Sequence, residues 1–262
     1  MTLVVKVGGH ALDDLSPTSA VLGDLAVDVA RLRDGGERVV LVHGGGPQIA
    51  SLLAMAGLES RFVDGLRVTD DATMALVAMA LADVNLRVVA ALNHAGLAAV
   101  GLTGADGSLF RSASLGEPWM RAGGAPSVHP DAVHALVNAG FVPVVCSVAV
   151  DANGELLNCN ADAAAGALAR ALDADRLVLL SDIDQIRGDA EDPASALGVL
   201  TDEELRSLVE TGAARDGMRP KAEAALAALA GGARSVTLAN GGRPHALAGA
   251  LSGAIPTTEV TQ

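Results

Sequence analysis

Lysine is almost missing from this chain. Of 18 Lys and Arg residues, Lys6 and Lys221 are the two lysines. Ammonium is a compact point charge and guanidinium a wide planar fork, so the two are not interchangeable. A chain that uses arginine elsewhere, yet keeps lysine beside a glycine loop, points to sites that accept the compact cation. A phosphate oxygen is a common occupant of such a site. Lys6 follows the apolar run Leu3-Val4-Val5 and precedes Val7-Gly8-Gly9. Lys221 lies in Asp216-Gly217-Met218-Arg219-Pro220-Lys221, at the head of an Ala-rich helical stretch.

Aromatic residues make up 2% of the chain. Its core must therefore be Val, Leu and Ala, which suits helices packed on a parallel sheet. Positive charge is also scarce: the formal net charge is −13. That argues against general binding to nucleic acid or an anionic membrane. A phosphate ligand would have to be met by local cations and backbone N–H groups against an unfavourable overall field. The two cysteines, Cys146 and Cys159, form no CxxC or His/Cys zinc spacing. Cys146 reads as a small core residue; Cys159, between two asparagines, reads as filler, with a place near a ligand as the alternative. There is no basic-then-apolar leader, and charges interrupt every long apolar run, so a soluble cytoplasmic protein is expected.

What is present is an alternation of apolar strand-like runs and amphipathic Ala/Leu helices. Strands are expected at Thr2–Val7, Val39–Val42, Ala98–Leu102, Phe141–Ser147, Arg176–Leu180 and Ser235–Leu238. Helices are expected at Ala20–Arg33, from near Gln48, and at Asp71–His94, Ala161–Leu172, Glu203–Thr211 and Pro220–Ala230. This βαβα order implies an α/β layered fold with a largely parallel sheet. The Gly-, Ser- and Pro-rich stretch 104–129, which holds Trp119, reads as hairpins or loops over a ligand. The stretch 187–197 reads as a polar loop.

Two glycine clusters each follow an apolar strand: Gly8-Gly9 and Gly44-Gly45-Gly46. Such strand-to-helix turns let backbone N–H groups approach an anion, helped by the following helix N-terminus. Tight turns are the alternative reading. No GxxxxGK[ST] run exists, and Ile49 occupies the third glycine position of a GxGxxG fingerprint. A P-loop protein and a dinucleotide-binding protein are therefore both disfavoured. Asn158-Cys159-Asn160-Ala161-Asp162 opens a helix, and its amides can both donate to and accept from a polar ligand. Asp162 could equally serve the helix dipole. Arg67 could grip a carboxylate with both arms of its fork.

Together these segments resemble the amino acid kinase family, and within it the branch acting on N-acetyl-L-glutamate. The matching runs are 6–9, 42–49, 62–70, 100–107, 158–162, 179–182, 216–218 with Lys221, and 243–246, in family order. The resemblance implies a three-layer αβα sandwich with an open, mainly parallel central sheet. It implies one domain over 1–262, with an acyl-acceptor lobe (1–174) and an ATP-binding lobe (175–262). The implied reaction moves the γ-phosphoryl group of MgATP onto a side-chain carboxylate, by positioning and charge stabilisation. Mg²⁺ would sit mainly on phosphates and water, with no protein carboxylate cage.

The same resemblance assigns roles. Lys6 would meet the transferring phosphoryl group, and Lys221 the nucleotide phosphates. Asp162 would lie between the two lysines and hold both. The N–H groups of Gly8, Gly9, Gly44 and Gly45 would cradle equatorial oxygens. Arg67 would hold the acceptor's α-carboxylate, and Asn158 and Asn160 its amide region. Ser181, Asp182 and Met218 would line the nucleotide pocket. Departures from the family pattern are His10, Gly123–Val128 and Asp184-Gln185-Ile186. Arginine-inhibited members of the family carry a helix before the first strand that also builds a hexamer; with the strand here starting at Thr2, the resemblance implies no arginine feedback and a homodimer. Rival readings are a kinase for glutamate or aminoadipate on an acidic carrier protein, an inactive regulator on the same fold, and a dinucleotide oxidoreductase.

Overall fold

A computed structural model describes residues 1–16, 18–189, 191–214, 218–230 and 233–261; the side chains of His10 and Pro220 lie outside that description. Eight strands form the main sheet: β1 (Thr2–Val7), β2 (Arg38–His43), β3 (Ala99–Thr103), β4 (Val142–Cys146), β5 (Arg176–Ser181), β6 (Val199–Thr201), β7 (Ser235–Asn240) and β8 (Thr257–Thr261). Their order is β6-β8-β7-β5-β1-β2-β4-β3. Every pairing is parallel except β7 with β8.

Among the described residues eight α-helices accompany the sheet: α1 (Ala20–Asp34), α2 (Gly46–Met55), α3 (Asp71–His94), α4 (Asp131–Asn138), α5 (Ala161–Ala171), α6 (Asp202–Glu210), α7 (Met218–Ala230) and α8 (Ala246–Ser252). Side chains alternate along a strand, and β1 uses this to serve two cores. Leu3, Val5 and Val7 enter the core shared with α1, α3 and α8. Val4 enters the opposite core, shared with α4, α5, α6 and α7. Helices thus cover both faces, and the sandwich has three layers as expected. Lys6 falls in phase with Val4, which directs it toward the α5 side.

Local chemistry sets the helix starts. The Asp70 carboxylate accepts from Thr73 N–H at 2.7 Å and opens α3. Thr201 and Glu204 form a reciprocal capping box at α6. In α3, Val77, Leu81, Val84, Val88 and Leu92 are buried, while Met79 and Leu86 stay exposed on the opposite face. By length and composition alone this helix could cross a membrane; here its inner face packs in the cores of the fold.

The stretch expected to form hairpins or loops does form antiparallel pairs. Phe110–Arg111, Ser114–Gly116, Met120–Gly123 and Ser127–Val128 join Val148–Val150 and Leu156–Cys159 in a second, six-stranded sheet. The polar loop expected at 187–197 is pinched by antiparallel pairing of Ile186–Arg187 with Ala196–Leu197. Helices α4 and α8 and strands β6 and β8 are not among the expected elements. Each is short, and β8 reads Thr-Thr-Glu-Val-Thr, which carries little apolar signal.

Candidate active site

The parallel register brings the two glycine loops together. Val7 pairs with His43 on one side and with Leu180 on the other, and His43 pairs with Cys146. One residue further on, Ser181, Gly8, Gly44 and Ser147 stand side by side at the carboxyl ends of four adjacent strands. Crevices at that edge are the usual ligand sites of open α/β sheets. A cavity of about 280 Å³ opens there. Lys6, Gly8, Gly44, Gly45, Arg67, Asn158, Asn160 and Asp162 all line it.

Lys6 Nζ lies 2.9 Å from Asp162 Oδ1, and both side chains are largely shielded from solvent. Asp162 is in the first turn of α5, where a carboxylate is favoured by the helix dipole. Gly8 leaves room for this arrangement: a methyl group at that position would meet Lys6 Nζ and Cε and displace the ammonium. Gly44 sits against the start of α5, where an added Cβ would be 3.3 Å from Ala161 Cβ. At Gly45 an added Cβ would press on Leu81 Cδ2 at 3.0 Å and Val84 Cγ2 at 3.3 Å. Gly45 caps α2, whose N-terminus therefore faces the cavity. Gly9 opens the 3-10 turn Gly9–Leu12. Gln48 Nε2 donates to Leu12 O at 2.7 Å, tying the second glycine loop to the first.

Among the described residues, Arg67 is the other cation of the cavity. It sits on the hairpin formed by Phe62–Val63 and Leu66–Arg67. It is 8% exposed, and burial lowers its pKa from the ordinary arginine value. Its guanidinium lies over the Phe62 ring at 4.7 Å. It donates to Ser60 Oγ and, at 3.3 Å, to Gly46 O. Among the described residues no carboxylate pairs with it. A buried cation without a counter-charge is costly, and an anionic ligand in the cavity would supply one.

Asn158 and Asn160 prove different. Asn158 Nδ2 donates to Thr69 Oγ1 at 3.2 Å, and Thr69 in turn donates to Arg67 O at 2.8 Å. Asn158 is thus coupled to the Arg67 strand. Asn160 instead caps α5, its Oδ1 accepting from Asp162 N–H at 2.7 Å and Ala163 N–H at 3.2 Å. Its acceptor is spent on the helix. Cys146 and Cys159 are buried and unbridged, and burial pushes both thiols up to about 11. Cys159 lines the cavity.

One expectation needs correction. Asp162 does not hold both lysines. Lys221 Nζ pairs with Asp182 Oδ1 at 2.9 Å, so each lysine has its own aspartate. The physical reason is topological. Asp162 opens α5 beside β1, whereas Asp182 follows β5, next to the first turn of α7 that carries Lys221. Ser181 is buried and accepts from Ile183 N–H at 3.4 Å. Met218 is 9% exposed, packed as a core residue at the start of α7. Asp216 and Gly217 lie outside the described residues. The unusual Asp184 and Gln185 both have structural partners. Arg243 grips Asp184 through two bonds of 2.7 and 2.9 Å, holding that carboxyl below its usual range. Gln185 Nε2 donates to Thr257 O at 2.9 Å, tying it to β8.

Sequence reasoning missed His43 and Asn85. His43 ends β2 beneath the Gly44 loop, and Asn85 projects from α3 onto it. The signal was available in the run His43-Gly44-Gly45-Gly46, where a polar residue closes an otherwise apolar strand.

Residues 1–240 match the profile described as the Amino acid kinase family. The acetylglutamate kinase of Pelotomaculum thermopropionicum is 42% identical over 259 residues, covering 94% of this chain and 86% of that protein. Among solved structures, smu.665 from Streptococcus mutans UA159 superposes with a TM-score of 0.81 at 27% identity, covering 91% of this chain and 94% of that one. N-acetylglutamate synthase from Neisseria gonorrhoeae, complexed with coenzyme A and N-acetyl-glutamate, superposes with a TM-score of 0.82 at 26% identity. That match covers 100% of this chain and 59% of the synthase.

Proposed function

The chain belongs to the amino acid kinase family, and we propose that it phosphorylates the side-chain carboxylate of N-acetyl-L-glutamate with ATP, giving N-acetyl-L-glutamyl 5-phosphate for arginine synthesis. The relatives named acetylglutamate kinase support the acceptor. The observation that carries the reading onto this chain's own residues is the pair of cations in one cavity. Arg67 has no carboxylate partner among the described residues, while Lys6 has Asp162. An acceptor with two carboxylates fits both ends. Its α-carboxylate neutralises Arg67, and its side-chain carboxylate lies toward Lys6 and the glycine loops.

In this reading residues 1–174 bind the acceptor and residues 175–262 the nucleotide. One acceptor oxygen attacks the γ-phosphorus as the bond to the leaving β-phosphate oxygen breaks. Lys6 and the N–H groups of Gly8, Gly9, Gly44 and Gly45 offset charge on the equatorial oxygens. Lys221, held by Asp182, offsets charge on the nucleotide side. Asn158, anchored to Thr69, contacts the acyl amide. Ser181 and Met218 support the nucleotide wall from within the core. Among the described residues no cluster of three His, Cys, Asp or Glu could hold a metal. A divalent ion such as Mg²⁺ would be held mainly by phosphates and water, where it would add positive charge.

A homodimer is part of the same proposal. The outer face of α3 carries exposed Met79 and Leu86 beside alanines 75 and 82, with exposed Met55 on the adjacent α2. A second copy would cover this face, and Met79→Glu with Leu86→Glu should shift the sedimenting species to monomer. The activity is tested by trapping acyl phosphate with hydroxylamine in the presence of ATP. N-acetylglutamate should yield hydroxamate, in contrast to glutamate, N-acetylaspartate and aminoadipate. No hydroxamate from N-acetylglutamate would sink the reading.

A further inference from the structure

A buried relay lies under the second glycine loop. His43 is 1% exposed and Asn85 8%. Asn85 Nδ2 lies 2.9 Å from Val144 O and 2.9 Å from His43 Nε2. A carbonyl oxygen only accepts, so the Asn85 atom facing Val144 must be the amide nitrogen. The same nitrogen faces His43 Nε2, so Nε2 accepts the second amide hydrogen. The imidazole proton then resides on Nδ1, which is 2.8 Å from Gly44 O and donates to it. Both ends of the ring independently demand this one tautomer. Gly101 on β3 makes room for the relay, since any Cβ there would collide with Asn85 Oδ1.

The consequence follows from peptide planarity. In a trans peptide the C=O of one residue and the N–H of the next point in opposite directions. Gly44 O is held inward, toward the buried imidazole. The Gly45 N–H of the same peptide must therefore point away from His43, toward the cavity that Gly44 and Gly45 line. Glycine-rich backbone flips readily. A flipped peptide would present a carbonyl oxygen where a phosphoryl oxygen has to sit. We propose that His43, fixed as its Nδ1–H tautomer by Asn85, is a positioning residue that locks the Gly44–Gly45 peptide with its N–H facing the transferred phosphoryl group. Leu81 and Val84, on the same helix as Asn85, leave no room for a side chain at Gly45.

The inference rests on the kinase reading for its kinetic effect but not for its tautomer, so two measurements separate the failures. Long-range ¹⁵N–¹H NMR on the wild-type protein should find a neutral His43 with the proton on Nδ1; a proton on Nε2 overturns the relay whatever the enzyme does. For kinetics, His43→Asn places an amide NH₂ near the Nδ1 position, and His43→Gln places it near Nε2. Loss of one aimed donor lowers kcat by about 10²-fold. His43→Gln should show that loss, with KM for N-acetylglutamate within about threefold of wild type. His43→Asn should recover at least about tenfold of it. Equal impairment of the two variants, or an unimpaired His43→Gln, overturns the proposal. If His43→Gln does not fold, the NMR measurement on the wild-type protein carries the test alone: a proton on Nδ1 sustains the proposal and a proton on Nε2 overturns it. A wild-type protein that forms no hydroxamate sinks the kinase reading and leaves the NMR result standing.

Discussion

The cavity has two cationic ends, and they are built on opposite plans. At the Lys6 end the charge is already balanced: Asp162 lies 2.9 Å away, on the helix next to the strand. At the Arg67 end the charge is buried, and no described carboxylate balances it. The difference matches what each end would meet. A permanent anion such as an α-carboxylate brings its own charge and can repay the burial of Arg67. A phosphoryl group gathers charge around its oxygens during transfer, and the cation that meets it must be held in place beforehand. A neutral, oriented Lys6–Asp162 pair does that without drawing every passing anion into a protein of charge −13.

The sharpest way to break the comparison is Lys6→Arg. The charge is kept, but a planar fork replaces a compact head in the space vacated at Gly8. Turnover should fall by about 10³-fold with little change in ATP binding; turnover within a few-fold of wild type would remove Lys6 from its role. Arg67→Ala should act on the other parameter. Loss of a charge-assisted contact predicts a rise in acceptor KM of about 10²-fold, read from initial rates with a smaller change in kcat. An unchanged KM would take Arg67 out of the site.

Asp162→Asn probes the balancing carboxylate itself. The amide still accepts from Lys6 but no longer neutralises it, so kcat should fall about tenfold. A comparable rise in acceptor KM instead would erase the distinction between the two ends. The smallest effect concerns acid stability. Burial lowers the pKa of His43 to about 4, from 6.5. The unfolded chain thus takes up a proton that the folded chain refuses. His43 therefore favours the fold above pH 6.5, and this contribution is lost as pH falls toward 4. Melting temperature should decline over that window, and less steeply in His43→Asn.

Much of the fold was legible because its signals are local. The bounds of α3 follow from an Asp cap at one end and loss of apolar periodicity at the other. The continuous apolar runs of β1, β2, β4 and β5 announce buried parallel strands. The site was legible where a residue's type restricts its chemistry, as for two lysines in an arginine-rich chain. It was illegible where partners come from distant segments. Asp182 as the partner of Lys221 depends on how β5 meets α7. Asn160 as a cap depends on where α5 begins. Asn85 on His43 joins residues 42 positions apart, and no periodicity announces it.

The sequence by itself determined the alternating α/β order, the glycine loops after β1 and β2, and which residue types could meet a phosphate. Tertiary structure alone decided which aspartate serves which lysine, that Arg67 is buried without a described counter-charge, and which His43 nitrogen carries the proton. The reason is physical. Periodicity and backbone conformation are set by near neighbours along the chain, whereas the balance of a buried charge or hydrogen bond is set by whatever the folded chain brings within about 3 Å of it.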